Sequence, residues 1–311
     1  MNGNDRNLVK MIKEIGEEDG IKIVGSKDGW IFRLTKNNMN KHIIGHRFEL
    51  NTKEANAICD HKSSASNILL KENIPAVEHK AFLSPENIYD INQYEHWQKM
   101  LDYLKLHQKI VVKPNDGSMG YNVMKVSTEE ELESALIKIF PESKYVALSP
   151  YYHIDAEYRV IVLDEEVKLI YLKQPPFIIG NGKDSILTLI TNSKENLSIT
   201  QIDEDIDLNY IPKDKEEVYL NWKHNSTFGS SGKIINEGKI VEKLTTLSLE
   251  VMDKLGLVFA SIDIIGVDND YLVLEVNAGV MMEQFSKTSD ENYKIAKEIY
   301  NDAIDLMFGE Y

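Results

Sequence analysis

The stretch FASIDIIGVDNDYLVLEVNAG, Phe259 to Gly279, holds two carboxylates and an amide at spacings that let them meet. Alternation on both sides of Asp268–Asn269–Asp270 predicts a β-hairpin. A turn centred on Asn269 sets Asp263 directly across from Glu275, with Asn277 two residues further along the same face. Ile262, Ile264, Leu274 and Val276 then line the opposite, apolar face. Two carboxylates facing each other repel unless a cation lies between them. A hard divalent ion relieves that repulsion, and two carboxylates plus an amide oxygen suit a Mg²⁺ that also holds phosphate oxygens. A one-residue slip in register would separate the pair, and a nearby lysine would neutralise it without a metal.

A second segment, KIVVKPNDGSMGYNVMKV from Lys109 to Val126, ends a β-branched run at Lys113 and passes through a loop with Gly117 and Gly120. Glycines let backbone N–H groups turn toward phosphate oxygens, and Lys113 adds a full positive charge. The loop is not a Walker loop, because it runs into a strand rather than from Gly-Lys-Ser/Thr into a helix. Taken alone it is more simply an ordinary glycine hairpin; beside the carboxylate hairpin the phosphate reading prevails. In AEYRVIV, Glu157 and Arg159 share one strand face, either as an acceptor and a cation in a cleft or as a solvated cross-strand ion pair. Lys173 in YLKQPP faces the same groove or solvates the sheet edge, and it is grouped with the nucleotide-contacting residues. WKHNSTFGSSG, Trp222 to Gly232, carries Lys223 and Asn225 ahead of a glycine-rich loop whose plainer reading is a surface loop. His224 has no partner at metal-ligand spacing, and Cys59 and the SSAS run lack the setting of a nucleophile.

The elements that must position these groups alternate irregularly. A helix is expected from Asn7 to Glu17, then strand-like IKIVG and WIFRL, and a helix in DHKSSASNILLKENIP with Asp60 as N-cap. STEEELESALIKIF reads as a helix with a Ser127–Glu130 capping box. EYRVIVLDEEVKLIYLKQP reads as a hairpin turning at Asp164–Glu166. GNGKDSILTLI leads into a short helix, and an amphipathic helix ends at Gly256. A last helix runs from about Asp290 to Phe308. The pattern suggests α+β layers rather than a doubly wound parallel sheet. With 311 residues, 42% of them hydrophobic, the chain can bury a core in two or three subdomains. A net charge of −15 argues against nucleic acid or an anionic membrane as the main partner but leaves room for a small basic pocket. One cysteine excludes a disulfide framework, and neither an N-terminal apolar region nor a spanning segment is evident, so a soluble cytoplasmic protein is expected.

The order of DHK before a helix, VVKPNDGSMG between strands, EYRVIV, GNGKDSILTLI, HNSTFGSSG, SIDII and LEVNAG resembles the ATP-grasp superfamily across roughly residues 57–285. Within it, the chain is most similar to the group of ribosomal-protein glutamate ligase, cyanophycin synthetase and bifunctional glutathione synthetase. The resemblance implies an ATP-grasp fold of two α+β subdomains clasping ATP: a short N-terminal region 1–56, then 57–311, divided at about 57–150 and 151–311. It implies that Lys62 and Lys113 contact the nucleotide phosphates and that the loop of Asp116, Gly117, Ser118, Met119 and Gly120 folds over them. Ser149, Pro150, Tyr151 and Tyr152 would line the adenine pocket, and Glu157 would take the ribose. Lys223 and Asn225, with Arg159, would act at the transferring phosphate, and Asp263, Glu275 and Asn277 would bind Mg²⁺, with Mn²⁺ as a substitute. The activity implied is an ADP-forming ligase that joins a carboxylate to an amine through an acyl phosphate. Its partners would be amino acids or short peptides, and a homodimer is the family-level expectation. A phosphotransferase and a non-catalytic nucleotide-binding module are the alternatives. Three departures stand out: Pro150 where many relatives carry an acidic residue, no Pro-Gly after Asn277, and a short N-terminal region.

Overall fold

The computed structural model of the chain describes residues 6–85, 93–117, 120–193, 202–203, 205–222 and 233–310. In chain order the first elements are α1 (Asn7–Glu18), β1 (Lys22–Gly25), β2 (Ile31–Lys36), β3 (Met39–Ile44), β4 (Arg47–Phe48), α2 (Lys53–Cys59), α3 (Lys62–Lys71) and β5 (Lys80–Leu83). Then come α4 (Gln93–His107), β6 (Ile110–Pro114), β7 (Met124–Val126), α5 (Glu129–Ile139), β8 (Tyr145–Pro150), β9 (Ala156–Leu163) and β10 (Glu166–Lys173). The rest are β11 (Phe177–Ile179), α6 (Ile186–Asn192), β12 (Glu217–Tyr219), β13 (Lys233–Ile234), α7 (Lys239–Leu255), β14 (Phe259–Val267), β15 (Asp270–Asn277), α8 (Glu283–Lys287) and α9 (Asp290–Phe308). They form two compact units, each assembled from separate stretches of chain.

Unit 1 comprises Met1–His42, Tyr171–Ile235 and Met281–Tyr311. In it α1 packs on α8 and α9 through Leu8, Met11, Ile12 and Ile15, all buried. No side chain caps α1 from its own N-cap position, Arg6; instead Glu283 accepts from the backbone N–H of Asn7 (3.1 Å) and Leu8 (3.4 Å). β1 and β2 pair antiparallel, and α6 with β11 and β12 encloses a small apolar cluster of Ile178, Ile186, Ile190 and Leu220.

Unit 2 comprises Ile43–Ile170 and Asn236–Val280 and holds two sheets. One has the order β5-β8-β6-β7, antiparallel throughout. The period of two divides its faces: Ile110, Val112, Val126, Val146 and Leu148 enter the core with Leu132, Ala135 and Leu136 of α5, while Lys113, Ala147 and Ser149 point the other way. The second sheet places β9, β14 and β15 beside the part of β10 that ends at Ile170, with α7 packed on β9 and β14. Asn51 clips the N-terminal segment to this sheet. Its Oδ1 accepts from the N–H of Val258 (2.8 Å) and Phe259 (3.0 Å), and its Nδ2 donates to the carbonyls of Phe259 (2.7 Å) and Ala278 (3.3 Å).

Two expected caps sit one residue away from where the sequence suggested. The capping box of α5 is Thr128–Glu131, not Ser127–Glu130: Thr128 has the extended backbone of an N-cap, and its hydroxyl accepts from Glu131 N–H at 3.2 Å. His61, not Asp60, precedes the first turn of α3, and Asp60 closes α2 and pairs with Arg47. Among the described residues no helix is long and apolar enough to cross a membrane.

Candidate functional site

β14 and β15 meet at a two-residue turn, Asp268–Asn269, both with positive φ (50° and 70°). That is the primed geometry that matches the twist of a hairpin. The turn alone would set Asp263 opposite Leu274, not Glu275. A one-residue bulge shifts the register after Ile264↔Val273, so that Asp263 pairs with Glu275 and Ser261 with Asn277. The opposed carboxylates are therefore present as expected, but by a turn one residue shorter and a bulge that compensates for it. The same bulge corrects the apolar face: Val273 is buried beside Ile262, Ile264 and Val276, and Leu274 is only half-buried.

Each carboxylate has a cation. β9 lies on the other side of β14 and sets Arg159 level with Asp263. The guanidinium forks both oxygens, Nε to Oδ1 and Nη2 to Oδ2, each at 2.7 Å, with both side chains nearly buried. Arg159 is thus engaged inside the fold rather than in a solvated pair with Glu157, which is itself buried two residues earlier. Lys62 opens α3, with its ammonium 3.3 Å from Glu275 Oε1 and donating also to the Gly117 carbonyl. Asn115 holds this helix start in place, its carbonyl accepting from Lys62 N–H (3.1 Å) and its side chain from Ser63 N–H (3.1 Å).

Lys113 on β6 is buried, and burial pushes its ammonium down to about 8. Lys62 pushes it the same way, while Glu275 and Glu157 hold it up. Lys113 therefore feels the charges of three other expected residues, Lys62, Glu157 and Glu275, and Glu275 stands across from Asp263 of the Arg159–Asp263 pair. An anion with several oxygens would relieve the repulsion between the two lysines.

The remaining expected residues are more scattered. Asp116 accepts from the Ser143 hydroxyl at 2.8 Å. Gly117 is tightly fitted, since a Cβ there would lie 2.9 Å from Pro114 Cβ, and Gly120 has φ +69°. Ser149 is buried at the end of β8, where Pro150 pairs with Ile110, and Tyr151 N–H donates to the Lys109 carbonyl at 3.1 Å. Tyr152 follows, half-buried. Lys173 ends β10 in unit 1 and is buried, so it does not solvate a sheet edge. Ser118, Met119, Lys223 and Asn225 lie outside the described residues. Burial pushes the Cys59 thiol up to about 12, which fits its reading as no nucleophile.

His79 was not singled out by the sequence. It is buried, its Nδ1 lies 3.0 Å from the Val77 carbonyl, and burial with the charges of Lys113 and Lys62 keeps its pKa well below the ordinary value. It is a neutral imidazole in the wall beside the two lysines. The only hint in the sequence was its place in a short alternating run after Pro75.

No group of three His, Cys, Asp or Glu side chains that could hold a metal occurs among the described residues, so a divalent ion here depends on an amide as third donor. The donor set fits one. Asp263, Glu275 and Asn277 offer hard oxygens on neighbouring strands, and a carboxylate has about four lone-pair positions, of which the Arg159 fork takes two at Asp263.

Residues 222–302 match the family described as a RimK-like ATP-grasp domain. The glutathione biosynthesis bifunctional protein GshAB of Enterococcus faecalis is 25% identical over 187 residues, 53% of this chain and 24% of its own length. Cyanophycin synthetase of Trichormus variabilis is 25% identical over 215 residues, 60% of this chain and 24% of its own. The chain thus spans about a quarter of the length of these relatives. The bifunctional glutathione synthetase from Pasteurella multocida superposes with a TM-score of 0.59 at 17% identity, over 97% of this chain and 45% of that one.

Proposed function

We propose that the chain, which has the ATP-grasp fold and matches a RimK-like ATP-grasp domain over residues 222–302, is an ATP- and Mg²⁺-dependent ligase joining a carboxylate to an amine. The observation that carries this reading is the gathering of Lys62 and Lys113 against Glu275, with Asp263 opposite Glu275 on the next strand. This is a cradle for phosphate oxygens beside hard-oxygen donors for a divalent ion.

In the first step a carboxylate oxygen of the substrate attacks the γ-phosphorus of ATP. The bond from that phosphorus to the β-bridging oxygen breaks, and ADP leaves with the electron pair. In the second step the amine nitrogen attacks the acyl carbon of the acyl phosphate, phosphate departs, and the nitrogen loses a proton. A carboxylate is a poor electrophile, and phosphorylation supplies its leaving group. Lys62 and Lys113 bind and orient the phosphates, which is positioning and charge neutralisation rather than covalent work. Asp263, Glu275 and Asn277 would hold Mg²⁺, which when bound neutralises charge on the phosphate oxygens. Glu157 is suited to accept from ribose hydroxyls, Ser149 to Tyr152 would flank the adenine, and the loop from Asp116 to Gly120 would keep water from the acyl phosphate.

Amino acids or short peptides are the proposed substrates. The test is ADP release from Mg-ATP across amino acids and dipeptides, with mass analysis of products and hydroxylamine trapping. A hydroxamate supports the acyl phosphate. A stable phosphorylated product with no hydroxamate indicates a phosphotransferase, and nucleotide binding without ADP release across the panel indicates a non-catalytic module.

A further inference from the structure

Ser143, in the turn between α5 and β8, is buried and has one hydroxyl proton for two acceptors. Its Oγ lies 2.8 Å from Asp116 Oδ1 and 2.8 Å from the Tyr145 carbonyl, and it accepts from Tyr145 N–H at 3.3 Å. The Tyr145 carbonyl has another donor, the N–H of Asn115 at 3.1 Å. It can therefore give up the hydroxyl without being orphaned. The Asp116 carboxylate is charged, and a hydrogen bond to a charged acceptor is about twice as strong as one between neutral groups. The proton accordingly rests on Asp116. When Asp116 leaves, the hydroxyl turns to the Tyr145 carbonyl and no buried group is left unsatisfied. Such a bond holds its partner and releases it at small cost.

What it holds is the first residue of the glycine-containing loop. The next residue, Gly117, fits closely against Pro114, and its carbonyl accepts from the Lys62 ammonium. That ammonium has three donors, one given to Gly117 and another facing Glu275 at 3.3 Å. The far side of the loop meets the same turn, since Glu142 accepts from Tyr121 Oη and Asn122 Nδ2, each at 3.4 Å. With Asp116 on Ser143, the loop thus lies with a carbonyl on a lysine that phosphate oxygens would use.

We propose that Ser143 is a latch that keeps the loop in a resting position, in which the Gly117 carbonyl occupies Lys62 until the phosphates of a nucleotide displace it. This rests on the ligase reading for the nucleotide and concerns the regulation of that same site. Ser143 is a positioning residue that acts through Asp116. On displacement a Lys62 N–H turns from Gly117 to a phosphate oxygen, Asp116 withdraws, and the Ser143 proton swings to the Tyr145 carbonyl.

Amide hydrogen exchange in the nucleotide-free protein reads the latch directly. Ser143→Ala should speed exchange of the Gly117 amide about fivefold, the effect of losing one hydrogen bond, and leave the amides of Val112 on β6 and Leu148 on β8 unchanged. Asp116→Ala should do the same, and the double variant no more than either alone. Because the latch opposes binding, Ser143→Ala should also bind a non-hydrolysable ATP analogue with Mg²⁺ about fivefold more tightly in calorimetry. Removing a residue that merely supports the fold would weaken that binding instead. Unaltered Gly117 exchange in both single variants overturns the proposal, and so does exchange that speeds equally at Val112 and Leu148. Analogue binding that is unchanged or weaker in Ser143→Ala overturns it as well. If the wild type binds no analogue, the ligase reading falls and the latch with it, whereas analogue binding by the wild type without a gain in Ser143→Ala removes the latch alone.

Discussion

Replacing Lys113 by methionine should make the protein more stable while removing a proposed phosphate contact. Burial sets the Lys113 ammonium at about 8 against an ordinary 10.5. At about 1.4 kcal/mol for each tenfold change in proton affinity, that gap means the folded chain carries the charge at a cost of about 3 kcal/mol at pH 7. Below pH 8 the lysine is protonated in both folded and unfolded chains, and the whole cost is present. Between about 8 and 10.5 the unfolded chain binds the proton more often than the folded one, so stability rises with pH. Above 10.5 both forms are neutral and the cost is gone. Methionine has a similar length and no charge, so Lys113→Met should be about 3 kcal/mol more stable than wild type at pH 7, and the difference should shrink steadily to nothing near pH 10.5. Urea unfolding of both proteins from pH 6 to 10.5 measures it, followed by a signal from unit 2. A variant no more stable than wild type at pH 7, or a gap that persists at pH 10.5, refutes the claim that Lys113 is a charge held at a cost.

Glu275→Ala should abolish ADP release in any acid–amine pair that the wild type turns over; near-normal release would sink the metal assignment. Asn51→Ala removes four hydrogen bonds and orphans the N–H groups of Val258 and Phe259, so urea unfolding should register a loss of about 3 kcal/mol. Thr128→Ala should cost about 1 kcal/mol and Ser127→Ala under about 0.5, because the capping hydroxyl belongs to Thr128; equal costs in thermal unfolding would return the cap to Ser127.

Local patterns carried much of the fold. The last helix, Asp290–Phe308, and the stop of α7 at Gly256 were legible because a 3.6-residue apolar stripe and a left-handed glycine are properties of a few neighbouring residues. The run Ser-Thr-Glu-Glu-Glu was ambiguous for the same reason: two overlapping capping boxes are equally good in sequence, and only the backbone at Thr128 separates them.

The sequence by itself determined that Asp263 and Glu275 share a hairpin face, since strand alternation and turn residues are encoded within twenty positions. It did not contain the route to that pairing. A centre at Asn269 led to the right partners, although the chain makes a shorter turn and recovers the register with a bulge at Leu274. Tertiary structure alone decided what neutralises the carboxylates. Arg159 lies 104 residues before Asp263 in the chain and reaches it only because β9 docks along β14, and Lys62 reaches Glu275 only because Asn115 pins the start of α3. Burial of Lys113 and His79 likewise depends on which strands close over them. Charge type is written in a residue, but the dielectric and the partner that fix its chemistry belong to the fold.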